Sequence, residues 1–240
     1  MVSRPPGRPL VTVSNHMSTL DDPTVLSAMM PLSLFFTESR HGRMRWTLCA
    51  NDMCHINKLL CNFFLSGKTL PIVRGAGHHQ PVLDLVARQL RDRGDWLHVF
   101  PEGRVRQDGQ MNPLKSGLAS ILCDVADKGP IVVPFHHSGM QDVIRAHTAR
   151  PRVNNRIRIA VGEPIPLEDL LAKCRKVCPP SGVRLCPSAQ PCLTRRCGAR
   201  MSCSQKGVDQ RQLARDIMER VASSLEELRR LNAEAAQRGD

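Results

Sequence analysis

Three histidines are each followed, after four intervening residues, by an aspartate: His16–Asp21, His79–Asp84 and His137–Asp142. A carboxylate beside an imidazole fixes its tautomer and frees the other ring nitrogen to take a proton from a hydroxyl. Spacing alone is weak evidence. With 9 histidines and 14 aspartates in 240 residues, roughly half an occurrence is expected by chance. Context separates the three. In "HQPVLD" Asp84 falls within a helical pattern while His79 sits in a Gly-rich loop, with Pro81 between them, which reads as structural. His137 follows the apolar run "IVVPF" and precedes Gly139, which puts it at a sheet edge near a site. His16 ends the β-branched run "LVTVSN", and Asp21 stands just before a Pro-started helix. That short loop can bring its two side chains together, so His16 is the best-placed base of the three.

Further polar candidates leave strand patterns at the same kind of end. "FPEGR" (100–104) follows "DWLHV", and the carboxyl ends of strands are where open α/β sheets place ligands. Pro101 and Gly103 let the backbone turn there. Glu102 can accept hydrogen bonds from a polyol headgroup or anchor the loop, and Arg104 can pair with a phosphate. Arg74, after "LPIV" and beside Gly75, is a second cation leaving a strand end.

The elements that must position these residues alternate between strand and helix patterns. Strands are expected at 10–15, 68–73, 95–100, 130–135 and 156–166. Helices are expected from Pro23, with Asp22 as N-cap, at 81–94 with a Gly94 stop, and over 114–129. This alternation predicts a single α/β domain with the sheet inside. A last helix over 208–236 carries Leu213, Ile217, Val221, Leu225 and Leu228 on one stripe, suited to packing on that domain.

Composition narrows the function. The net charge of +12 is concentrated in residues 172–207, which hold eight Lys or Arg and no acid, leaving about +4 (12 − 8) elsewhere. With aromatics at 3% and no tyrosine, a nucleic-acid partner is not expected. The same tract holds six of the ten cysteines without a CxxC pair or a histidine, so it reads as a disordered insert rather than a metal site. Cys49, Cys54, Cys61 and Cys123 lie among apolar residues and read as buried thiols. No apolar run reaches 18 residues, and "TVLSAMMPLSLFF" (24–36) is too short to cross a bilayer. The chain starts almost directly on a strand pattern, which reads as an incomplete N-terminus.

Taken in order, "NHMSTLDD", "GKTLPIVRG", "FPEGR" and "IVVPFHHSGMQDV" resemble the four successive blocks of the glycerolipid acyltransferase superfamily. Within it the blocks are most similar to the phospholipid–lysophospholipid transacylases that remodel cardiolipin. The resemblance covers about 10–171 and resumes after 208, leaving 172–207 without a counterpart. It implies one α/β domain, a central mixed sheet flanked by helices. His16 would then be the general base, Asp21 its orienting carboxylate, and Arg74, Glu102, Gly103 and Arg104 the holders of the glycerophosphate. Phospholipid and lysophospholipid would be the substrates, with no cofactor or metal. The enzyme would lie peripherally on mitochondrial membranes, facing the intermembrane space. The same blocks also serve acyl-CoA-dependent lysophospholipid acyltransferases, and an idle lipid-binding module is the alternative from another class.

Overall fold

The computed structural model describes residues 4–29, 45–54, 56–77, 80–145, 150–177 and 203–238. Six strands form one mixed sheet: β1 (Leu10–Ser14), β2 (Trp46–Ala50), β3 (Thr69–Ile72), β4 (Trp96–Val99), β5 (Ile131–Ser138) and β6 (Arg158–Val161). Their spatial order is β3-β2-β4-β1-β5-β6. All neighbours run parallel except β5 and β6. Every residue of β1 is buried, because strands pair with it on both sides and layers cover both faces.

The helices are α1 (Ser27–Met29), entered through a π-helical turn Asp22–Leu26, then α2 (Asn51–Cys54), α3 (Lys58–Ser66), α4 (Pro81–Arg93), α5 (Gly117–Asp124), α6 (Met140–Val143), α7 (Glu168–Val177) and α8 (Cys203–Arg238). One face of the sheet, carrying Val11, Val13, Leu97, Val99 and Val132, packs with α4, α5, α7 and α8 into the main core. The α8 stripe Leu213, Ile217, Val221, Leu225 and Leu228 is buried. On the other face Phe135 packs with Met17, Val25, Leu26 and Met140. Among the described residues no helix is long and apolar enough to cross a membrane.

Local expectations meet three corrections. Asp22 does not cap its helix: its carboxylate takes a two-pronged bond from Arg45, at 2.8 and 2.6 Å, and accepts the Thr47 hydroxyl at 3.0 Å. A charged fork and a hydroxyl outcompete the helix amides for it. The insert expected from residue 172 overlaps α7, whose Cys174 is fully buried; the burial of Leu170, Leu171 and Cys174 carries the helix past the expected boundary. Residues 178–202 lie outside the described residues. Finally, three of the four scattered cysteines are not thiols, because Cys49 is joined to Cys54 and Cys123 to Cys174. The folded chain brings these pairs together from spacings with no local signature.

Candidate active site

β1, β4 and β5 are adjacent and the first two are in register at Val13 and Val99, so the segments that follow them meet at one edge. Successive strand side chains alternate between faces. Thr12, His98, Phe135 and His137 therefore share the face away from the main core, and His16 continues beyond the end of β1. On the opposite face His136 meets α8, where Asn232 donates to its carbonyl at 3.1 Å.

At this edge His16 Nδ1 lies 2.9 Å from Asp21 Oδ2. Asp21 is 1% exposed. Its Oδ2 also accepts the backbone N–H of Met17 at 2.7 Å and of Ser18 at 2.9 Å. An acceptor held by two amides leaves Nδ1 as the donor, so His16 Nε2 carries the lone pair. The imidazole ring stacks on Phe100 with centroids 4.0 Å apart, and Phe100 meets His98 edge to face. That aromatic floor fixes the ring plane while one-fifth of the side chain stays open to the surface.

Two long-range bonds hold the loop. Glu102 Oε1 accepts the His16 N–H at 3.0 Å, and Oε2 accepts the Asn112 N–H at 2.7 Å. Arg106 N–H donates to the His16 carbonyl at 2.8 Å. Glu102 is 2% exposed. Burial pushes its carboxyl above the usual range, against the opposing pull of the Asn112 and His16 amides. Of the two roles open to Glu102, loop anchoring is the one its hydrogen bonds perform.

The remaining expected residues are spread along the same edge. Gly103 sits at φ 65, a left-handed turn that favours glycine, and its N–H closes the turn on the Phe100 carbonyl at 3.1 Å. Arg104 is exposed beside it and carries no bond to another described residue. Arg74 leaves β3, three strand positions from β1, or roughly 14 Å by strand spacing. Its guanidinium lies 3.3 Å from Asp52 Oδ2, on the short helix that follows β2. The structure thus brings together His16, Asp21, Glu102 and the turn at Gly103–Arg104, and leaves Arg74 apart.

His137 does not pair with Asp142. Its Nε2 lies 3.1 Å from the Asn15 carbonyl and 3.5 Å from Asp21 Oδ2. Burial lowers its pKa, with Asp21 pulling the other way. Asp84 lies on α4, and His79 is outside the described residues. Asn15, Phe100 as a stacking floor, Gln107 and Asn112 were missed from sequence. Gln107 bridges the Met17 and Ile144 carbonyls at 3.0 and 2.7 Å. Only the position of Asn15 and Phe100 at strand ends flagged them. Among the described residues no group of His, Cys, Asp or Glu is arranged to hold a metal.

Residues 2–138 match a family model described as Acyltransferase. An Arabidopsis thaliana protein described as N-acylphosphatidylethanolamine synthase is 38% identical over 244 residues, covering 95% of this chain and 80% of that protein. Tafazzin of Drosophila melanogaster is 38% identical over 179 residues, 73% of this chain and 45% of that protein. The Dictyostelium discoideum protein described as Taffazin is 35% identical over 170 residues, 69% and 58% respectively. The chain spans about half the length of these two tafazzins. A buried carboxylate orients an imidazole at the mouth of the sheet, and the family match covers more than half of the residues. On these grounds the chain belongs to the acyltransferase family.

Proposed function

We propose that this acyltransferase moves a fatty acyl group from a phospholipid to the free hydroxyl of a lysophospholipid, as the tafazzins' similarity supports, with cardiolipin remodelling as its setting. The observation that carries the reading is the His16–Asp21 pair at 2.9 Å with the second ring nitrogen left open. His16 Nε2 takes the proton of the lysolipid hydroxyl as its oxygen attacks the donor's acyl carbonyl. The ester bond to the donor then breaks, and the imidazolium returns the proton to the departing oxygen. Asp21 stabilises that transient charge. Arg104 takes the phosphate next to the reacting ester, and Arg74 serves a more distant phosphate along the same edge. Glu102 and Gly103 contribute by shaping the turn and its grip on His16. The donor is itself a phospholipid, so the reaction uses no cofactor.

A second reading is favoured by the coverage of the Arabidopsis relative, which extends over 95% of this chain. There the acceptor is the amine of phosphatidylethanolamine, and the product is an amide.

One assay separates the readings. Purified protein is given vesicles of acyl-labelled phosphatidylcholine with lysophospholipid and phosphatidylethanolamine, without coenzyme A. Label appearing in an alkali-labile ester of the lysolipid is expected. Label in an alkali-stable amide supports the second reading. No transfer here, beside transfer in a parallel reaction given labelled acyl-CoA, overturns the phospholipid donor. We place the protein peripherally on mitochondrial membranes, facing the intermembrane space, with no nucleic-acid partner. Binding to anionic vesicles that weakens with salt, and release by carbonate, are expected.

A further inference from the structure

Asn15 joins the site to β5 in an unusual way. Its side chain continues the β1–β5 ladder one rung beyond Ser14 and Phe135. Asn15 Nδ2 donates to the His137 carbonyl at 2.8 Å, and the His137 N–H donates to Asn15 Oδ1 at 2.9 Å. The Asn15 main-chain carbonyl then lies 3.1 Å from His137 Nε2. A carbonyl can only accept, so Nε2 carries the proton and Nδ1 the lone pair. His137 is fully buried, and its Nδ1 has no hydrogen-bond partner among the described residues. The protonated edge of the ring also faces Asp21 Oδ2 at 3.5 Å, on which His16 Nδ1 converges at 2.9 Å.

We propose that His137 is a second positioning residue of the acyltransferase site, acting through Asp21, with Asn15 as its holder. Its N–H presents the positive end of a bond dipole to the carboxylate that orients His16. The Met17 and Ser18 amides already hold Oδ2. The His137 N–H adds a further donor at that same oxygen and so favours the carboxylate rotation in which Oδ2 meets His16 Nδ1. Ring and carboxylate are both buried, and a fixed dipole acts most strongly in such a low-dielectric setting. The titratable groups whose fields act on His137 are Asp21 and His16, and His137 in turn acts on His98 and His136. Burial keeps it neutral, as the role requires: a second imidazolium would compete with His16 for the one carboxylate.

This inference rests on His16 as the base, and three variants test it together. His137→Leu removes the donor and keeps an apolar filler, whereas His137→Gln keeps an N–H within reach of the Asn15 carbonyl. For His137→Leu the expected loss is roughly 10- to 100-fold in kcat with little change in KM for the lysolipid, the order seen when partners that orient an imidazole are removed. His137→Gln should recover most of the rate. A folded His137→Leu with normal kcat overturns the proposal, as does His137→Gln performing no better than His137→Leu. Nitrogen NMR of the unaltered protein gives a test independent of folding variants: His137 must be protonated at Nε2 and bare at Nδ1, and the opposite tautomer overturns the proposal. Full turnover by His16→Ala removes the base reading and this inference with it. An inactive His16→Ala beside a normal His137→Leu removes this inference alone.

Discussion

The backbone N–H of His16 donates to Glu102 Oε1 at 3.0 Å, tying the loop after β1 to the turn after β4 across 86 residues of chain. The other carboxylate oxygen holds Asn112, so one buried side chain sets the position of His16 through its main chain. Glu102→Gln replaces one acceptor with an amide that donates, and leaves one of the two backbone groups unmatched. A loss of about 1–3 kcal/mol in stability is expected, the cost of an unpaired buried polar group. Burial raises the folded-state pKa of Glu102 above its unfolded value. Its favourable contribution is thus complete below the unfolded pKa and declines as pH rises through the folded one. The stability gap between the native protein and Glu102→Gln, measured by denaturant unfolding, should narrow as pH rises across that window.

Acyl transfer by folded variants ranks the histidines. His16→Ala should lose on the order of 10² to 10⁴ in rate, the contribution of a positioned base. Asp21→Asn should lose less, since the base remains, and Asn can still accept from Met17 and Ser18. His79→Ala should be nearly silent. Near-normal turnover by His16→Ala would show that another group takes the proton.

His136 links pH to the docking of α8. Burial, then the fields of His137 and Arg229, lower its pKa from 6.5 to about 4, with Glu226 acting in the opposite direction. A histidine depressed on folding contributes stability that is full above about pH 6.5 and is lost as pH falls through 4. The interval corresponds to a loss on the order of 3 kcal/mol. Urea unfolding at pH 7 and pH 4 should show it. His136→Gln should flatten that slope, and an unchanged slope would place the acid sensitivity elsewhere.

Deletions separate α7 from the tract that follows. Removing 172–207 strips the last turns of α7 and the fully buried Cys174, so a loss above about 2 kcal/mol is expected. Replacing only 178–202 with a Gly/Ser linker of equal length should change stability by less than about 1 kcal/mol, since that tract's sequence has no hydrophobic period and an equal length keeps the closure entropy. Equal stabilities for the two deletions would show that α7's last turns contribute nothing.

Features written in neighbouring residues were legible before any fold was known. The five α/β strands expected from β-branched and apolar runs are present, and Gly94 ends α4 in the left-handed conformation, as its position after Arg93 predicted. The His16–Asp21 contact was legible for the same reason: five positions apart, the two residues need only one loop to meet. Glu102 was half legible, since its place in a turn was clear but its partners lay 86 and 10 residues away.

Strand order decided the rest. β2 and β3 stack beyond β4, which carries Arg74 away from His16, while β5 lies directly beside β1 and brings His137 to Asp21. Neither adjacency is encoded in spacing, because parallel neighbours are joined through distant crossovers and chosen by how the whole sheet buries its faces. The strand pleat then settled two adjacent residues oppositely: His136 turns to α8 and His137 to the site. The sequence by itself determined five of the six strands, the family blocks and the pairing of His16 with Asp21. Only the tertiary structure decided which distant groups surround that carboxylate, since desolvation and long-range hydrogen bonds exist only once the sheet has assembled.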